Sequence, residues 1–200
     1  MNAAGEIRLS KEAINALPLA CWQGMVCCVR TAAEAEAAAM RLARANLLGF
    51  DTETRPAFHK GQKFQPSLLQ LAAEDEVVLV QLRHTGLSAP LLALLENPAI
   101  VKAGVAPDFD LKSLRELHPF RPAGFVDLAR LARSRGLRHH GLRGLAAAVC
   151  GLRISKSART TNWANPELTA QQIRYAATDA WIGREIYHRL LALPPVPAGA

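Results

Sequence analysis

The chain is short of acids for the bases it carries. Asp and Glu number 17 against 24 Lys and Arg, a formal net charge of +7 with a pI near 9.7. That imbalance points toward a polyanionic partner, nucleic acid being the commonest. Other absences exclude more. The four cysteines, Cys21, Cys27, Cys28 and Cys150, make no CxxC and no Cys/His cluster with zinc-ligand spacing. Cys27 and Cys28 fall in the apolar run MVCCV, where thiols serve as small hydrophobes. No G-x-G-x-x-G follows the first strand, which removes the dinucleotide fingerprint and weakens a Rossmann reading. No uncharged apolar run approaches the ~20 residues that span a bilayer. No basic stretch leads into an apolar segment as in a signal peptide. No internal repeat appears, and low complexity is confined to the tail PPVPAGA. A reduced, soluble, cytoplasmic protein without a membrane partner is the expectation.

What is present suffices for a core. Half of the 200 residues are hydrophobic and a fifth are charged, enough apolar surface for one domain with short tails. The expected layout is an N-terminal extension over 1–13, one domain over 14–193 and a Pro-rich tail over 194–200. Met25 to Val29 reads as a strand. Thr31 and Glu34 make a capping box opening an alanine-rich helix to about Asn46. Leu47 to Glu53 reads as a second strand, followed by the basic loop RPAFHKGQKFQP. SLLQLAA and EVVLVQL read as a hairpin turning at Glu74-Asp75. APLLALLEN reads as a helix, AIVKAGV as a strand, and Asp108 to Leu117 as a helix. From Phe125 onward the pattern is mainly helical. This order favours an α/β domain, a ribonuclease H-like mixed β-sheet flanked by helices.

The chemistry begins at FDTET. Side chains alternate along a strand, so Asp51 and Glu53 project to one side about 7 Å apart. Two carboxylates so placed raise each other's pKa unless a cation lies between them, and hard divalent ions prefer such oxygen clusters. A solvated strand end is the plainer alternative. In the last helix, opened by the capping box of Thr169 and Gln172, Ile173, Ala176, Ala180, Gly183, Tyr187 and Leu190 form a core-facing stripe. Tyr175 and Asp179, four apart, stack beside it. The competing reading pairs Asp179 with Arg174 or Arg184 at the surface. Asp108 and Asp110 lie in the first turn of a third element, where the helix N-terminus favours acids. Spacing does not say which of them points outward.

Taken together, FDTET, KAGVAPDFDLKSL and YAATD resemble the three motifs of the DEDD superfamily of 3′–5′ exonucleases, in its tyrosine-bearing branch. The stretch from GLRGLAAAVCG to REIY looks like ribonuclease D relatives. INALPL through LLQLA looks like the exonuclease domain of the Werner-syndrome helicase. The resemblance covers about residues 14–192 and makes 14–193 the exonuclease domain. Neither a helicase nor an added helical domain is expected within 200 residues. Aligning KAGV places the second-motif acid on Asp110 and makes Asp108 a cap or a bystander. The sequence departs from the family at Ala106-Pro107, where a more polar or glycine-containing approach is common.

The resemblance implies a two-metal hydrolase releasing nucleoside 5′-monophosphates from a free 3′ end, on a single-stranded substrate. Asp51, Glu53 and Asp179 would hold one Mg²⁺ or Mn²⁺, and Asp110 a second. Tyr175 would orient the attacking water. Thr52 and Thr54 are either contacts to the terminal nucleotide or ordinary β-branched strand residues. Lys60, Lys63 and Arg159, from the runs HKGQK and RISKSAR, are candidates to hold phosphates. His139 and His140 are not expected to bind metal, and Trp163 is expected to pack. The other class in view is a silent nucleic-acid-binding module on the same fold, which would be expected to lack one of the acids.

Overall fold

A computed structural model describes residues 9–196. The first eight residues of the N-terminal extension and the last four of the tail lie outside the described residues. In chain order the elements are α1 (Lys11–Ala16), β1 (Met25–Val29), α2 (Ala32–Leu42), β2 (Leu47–Thr54), β3 (Pro66–Ala72), β4 (Glu76–Gln81) and α3 (Leu82–Thr85). There follow α4 (Ala89–Glu96), β5 (Val101–Gly104), α5 (Pro107–Leu117), β6 (Phe125–Asp127), α6 (Leu128–Arg133), α7 (Leu142–Leu145) and α8 (Ala170–Ala192). A π-helical turn, Ala146–Cys150, extends α7.

Both expected capping boxes form, at Thr31/Glu34 and Thr169/Gln172. Helix α2 ends at Leu42 rather than near Asn46. The amides of Arg44 and Ala45 turn tightly onto the carbonyls of Arg41 and Leu42 and unwind the last turn. Phe125 does not open a helix. With Val126 and Asp127 it forms a short strand, too brief to leave a periodic signal, whose ring packs edge-on against Phe50 at 5.0 Å. The stripe on α8 is also wider than expected. Ile182 and Ile186 are fully buried, whereas Ile173 and Tyr187 are half-buried.

Among the described residues six strands form one sheet in the order β1-β4-β3-β2-β5-β6. β2, β3 and β4 make an antiparallel meander; β5 lies parallel to β2, β6 to β5 and β1 to β4. One face carries Leu48, Phe50, Leu69, Leu71, Val78 and Val80 against α2, α4 and α5. The other carries Leu68, Ala72, Val77 and Leu79 against Ala176, Ala177 and Ala180 of α8. The result is an α/β/α sandwich with β2 near its centre, the ribonuclease H-like mixed sheet expected from the strand order.

Helix α8 lies unusually close to β2. A methyl group placed on Gly49 would stand 1.9 Å from the Ala180 carbonyl oxygen, and one on Gly183 would stand 3.2 Å from that of Ala103. Small residues on both partners therefore let backbone meet backbone. Gly49→Ala is expected to destabilise the fold by at least the ~1–3 kcal/mol typical of overpacking, read as a lower urea midpoint. A wild-type midpoint would show that α8 can lift away from β2 freely.

Candidate active site

Alternation along β2 sends Asp51 and Glu53 to the α8 face, the side Gly49 occupies, and Thr52 to the opposite face. Asp51 stands across from Gln70 and Glu53 across from Leu68, and the register shifts between Glu53 and Thr54, which pairs with Pro66. Because Ala180 rests on Gly49, the preceding turn of α8 hangs over the end of β2. It presents Asp179, 6% exposed, and Tyr175, 9% exposed, toward the strand acids. Neither arginine considered as a partner for Asp179 takes it. Arg184 pairs with Glu74 and Glu185, and Arg174 is exposed.

The second-motif acid arrives from the other layer. Of the two aspartates on α5, Asp108 is solvent-exposed and pairs with Arg130 at 3.4 Å, so it is neither cap nor site residue. Asp110 turns inward, where the Thr52 hydroxyl donates to its Oδ1. Thr52 thus joins the acid on α5 to the strand bearing the other acids. The approach through Ala106 is strained: Ala106 is the N-cap of α5 with φ 51° and ψ 47°, a left-handed conformation. Its amide donates to Asp127 Oδ1 at 3.1 Å, and Asp127 also caps α6 through Ala129. Pro107 fits the first helical position without loss of a hydrogen bond. Glycine would take this conformation without the roughly 1–2 kcal/mol penalty of an L side chain. Ala106→Gly should therefore stabilise the protein by about 0.5–1 kcal/mol after the entropic cost of glycine, measured by thermal melting. A lower melting temperature would contradict the strain.

Asp51, Glu53 and Asp179 open into a cleft of about 240 Å³ whose walls include Val105, Leu142 and Arg159; Asp110 is not in its lining and adjoins it through Thr52. Desolvation raises the pKa of every acid in it. Burial comes first for Asp51, then the charges of Asp179 and Asp110. Glu53 rises to about 9 through burial and then Asp51, with Arg159 acting in the opposite direction. Asp179 rises to about 7, moderated by the Tyr175 hydroxyl. Burial also lifts Asp110 against its bond from Thr52. The Tyr175 phenol is held well above its ordinary range by burial and by the Asp179 and Glu53 charges.

Among the described residues no three carboxylate, imidazole or thiolate groups close around one point as a finished ligand set. The donor chemistry of the cleft nonetheless fits a hard divalent cation: oxygens only, in mutual repulsion that a positive ion would relieve. Gln70, directly across from Asp51, is fully buried, and both its side-chain amide atoms lack a hydrogen-bond partner among the described residues. A polar group left open beside the acids agrees with a site completed by something other than protein. Sequence reasoning passed over Gln70 as one strand residue among many; an amide inside the otherwise apolar run SLLQLAA was the available signal.

The remaining candidates divide. Arg159 lines the cleft, and Thr52 lines it while bonding Asp110. Thr54 ends β2 beyond the cleft lining. Lys60 and Lys63 are exposed on the loop between β2 and β3, away from the lining residues. Trp163 is a core residue, 1% exposed, packed on the Tyr175 ring with centroids 5.9 Å apart. His139 is structural: its Nε2 accepts from the Leu9 amide at 2.9 Å. Among the described residues no helix is long and apolar enough to cross a membrane.

The fold is a layered α/β sandwich with an acid-lined cleft at the end of β2, and the same fold recurs in known proteins. The Aedes aegypti Nibbler EXO domain has the same fold, with a TM-score of 0.75 at 24% identity over 94% of this chain and 92% of that one. Mouse (Mus musculus) bifunctional 3′–5′ exonuclease/ATP-dependent helicase WRN is 34% identical over 157 residues, 76% of this chain and 11% of that protein. Ribonuclease D of Gluconacetobacter diazotrophicus is 35% identical over 155 residues, 76% of this chain and 38% of that protein. Residues 26–193 match the family model described as 3′–5′ exonuclease. The chain belongs to the 3′–5′ exonuclease family of hydrolases. It spans about a tenth of the helicase and under two-fifths of the ribonuclease.

The raised carboxyl pKa values fix a sign. A carboxyl that keeps its proton to higher pH when folded makes the metal-free fold lose stability as pH rises from the ordinary carboxylate range. The window extends to about 7 for Asp179 and about 9 for Glu53. In EDTA, Asp51→Asn is therefore expected to raise the melting temperature near pH 8 and to change it little near pH 4. An equal effect at both pH values would overturn the repulsion.

Proposed function

We propose that this protein is a divalent-metal-dependent 3′–5′ exonuclease. On this reading it removes nucleoside 5′-monophosphates one at a time from the free 3′ end of single-stranded nucleic acid. The observation that carries the reading is the meeting of Asp51, Glu53, Asp179 and Asp110 from three separate elements: burial raises all four, and neighbouring acids raise Asp51 and Glu53 further. Raised carboxyls gathered at a cleft are what catalytic and metal-binding sites use.

Asp51, Glu53 and Asp179 would hold one ion and Asp110, with a share of Asp51, a second, both Mg²⁺ or Mn²⁺. Bound there, the pair would neutralise charge developing on the attacking and leaving oxygens. Thr52 keeps Asp110 turned toward β2. Tyr175, one helical turn from Asp179, remains protonated across ordinary pH, so it orients the water by hydrogen bonding and does not act as a base. Trp163 fixes the plane of that ring. Arg159 meets the anionic substrate at the rim, while Val105 and Leu142 keep the walls dry. Lys60 and Lys63 act farther out, in general attraction of the polyanion.

The test is mononucleotide release from 5′-labelled single-stranded oligonucleotides, RNA and DNA, with and without Mn²⁺. Asp51→Asn and Asp179→Asn should each lose more than the ~10²-fold typical of a mutated outer-shell partner. Tyr175→Phe should lose about 10²-fold in kcat. Wild-type rates in Asp51→Asn, or equal rates in EDTA, would defeat the proposal.

A further inference from the structure

The acid cleft continues outward. Leu142, Arg159, Tyr175 and Asp179 line both it and a second concavity of about 260 Å³. That concavity shares Arg143, Gly144 and Lys156 with a third, of about 200 Å³, whose far wall is Lys11, Ile14 and Asn15 of α1. The three form one trough leading from Asp51 to Lys11. Past Asp179 no acid among the described residues lines it, so among them Arg159, Lys156, Arg143 and Lys11 follow one another without a carboxylate between them. Glu12, also on α1, turns back on its own backbone and Ser10 and is not in the lining.

Charged runs usually face solvent independently of one another. Here cations from three remote parts of the chain share a concave surface. Arg143 is half-buried: its Nη2 donates to Asn15 Oδ1, while its buried Nε has no hydrogen-bond partner among the described residues. An arginine N–H buried at the edge of a basic concavity, with nothing to donate to, is a group awaiting an acceptor. The far wall is firmly placed. The Leu9 amide donates to His139, Arg153 N donates to Pro18 O at 2.9 Å, and Ala20 N donates to Arg153 O at 2.8 Å. These bonds hold the segment around α1 against the stretch that leads into α7, which carries Arg143, and the loop that carries Lys156.

We propose that this trough binds successive backbone phosphates of the nucleic acid strand upstream of the bond at the acids, with Lys11 as the outermost station. The proposal rests on the exonuclease reading above for the position of the scissile bond. A mononucleotide product carries a single phosphate and cannot occupy all these cations, whereas a strand lying along the trough can. Affinity therefore grows with strand length until α1 is reached, and a dinucleotide never reaches it.

The test uses Lys11→Glu with Lys11→Arg as the charge-preserving control; the residue is exposed, so neither change disturbs the core. Binding of a fluorescent single-stranded oligonucleotide of about ten nucleotides, and of a dinucleotide, is measured in EDTA over a range of salt. Hydrolysis of both is measured with Mn²⁺. For Lys11→Glu the longer strand should bind at least about five-fold more weakly near 0.1 M salt, with a salt slope smaller by about 0.7 or more. KM should rise with kcat unchanged, the dinucleotide should be unaffected, and Lys11→Arg should behave as wild type. Unchanged affinity and salt slope for the longer strand would overturn the proposal, as would an equal loss on the dinucleotide. If length-dependent binding falls in Lys11→Glu but wild type cleaves nothing, the trough stands and the exonuclease reading fails.

Discussion

The arrangement depends on one backbone contact, the seating of Ala180 on Gly49. A strand ordinarily holds a covering helix away by the thickness of its side chains. Here the strand offers none at Gly49, and the helix offers alanines at 176, 177 and 180 and a glycine at 183. The distance saved brings the helix turn of Asp179 down to the level of Asp51 and Glu53. With a larger residue at 49 the same side chains would exist, but the acid on α8 would stand too high to act with those on β2. The proximity that makes the site is also what destabilises it, since the acids are then pressed together in a half-buried cleft. Packing energy from the apolar clusters on both sheet faces holds them there.

Two layers contribute acids, and they need a connection through the sheet. Thr52 supplies it because alternation points it away from its neighbours. While Asp51 and Glu53 face α8, the Thr52 hydroxyl reaches Asp110 on α5. A single pentapeptide, FDTET, therefore addresses both sides of the sheet. This explains why the acid on α5 can serve the site although its helix packs on the opposite face. It also gives the strained Ala106 a purpose. The left-handed turn, tied by Asp127, sets the first turn of α5 so that Asp110 points toward the strand and Asp108 toward solvent. Ala106 and Asp127, outside the cleft lining, thus set which of two neighbouring aspartates turns inward.

Much of this was legible in the sequence, and the boundary of legibility is physical. Period-two alternation in FDTET and the four-residue spacing of Tyr175 and Asp179 are local rules, so the faces of these residues followed directly. The capping boxes at Thr31 and Thr169 are local as well, and both helices begin where expected. Asp108 and Asp110 were undecided by spacing, because both sit in a first turn that stabilises either; the choice depends on a turn conformation and a cross-sheet bond. Strand β6 was missed because three residues leave no period. Gln70 stands out in the sequence as an amide within the apolar run SLLQLAA, but its place beside Asp51 depends on the register of two strands. Lys60 and Lys63, in a dense basic run, are exposed and not in the cleft lining. Lys11, isolated in sequence, lines the trough through the docking of a six-residue helix.

The raised phenol of Tyr175 divides labour within the proposed mechanism. A tyrosine serving as base must lose its proton near neutral pH, and every neighbour here opposes that loss. Burial disfavours the phenolate, and Asp179, Glu53 and Asp51 repel it. A cation at the acids would offset part of this repulsion without removing the desolvation. The hydroxyl therefore stays a donor and acceptor of fixed position, held by Trp163 behind it and by Asp179 one turn along the helix. A residue so held contributes geometry, and the deprotonation of water falls to the charge that the acids collect. Within the proposed mechanism the tyrosine is thus intelligible as a positioning device, carried on the same buried helix α8 as Asp179.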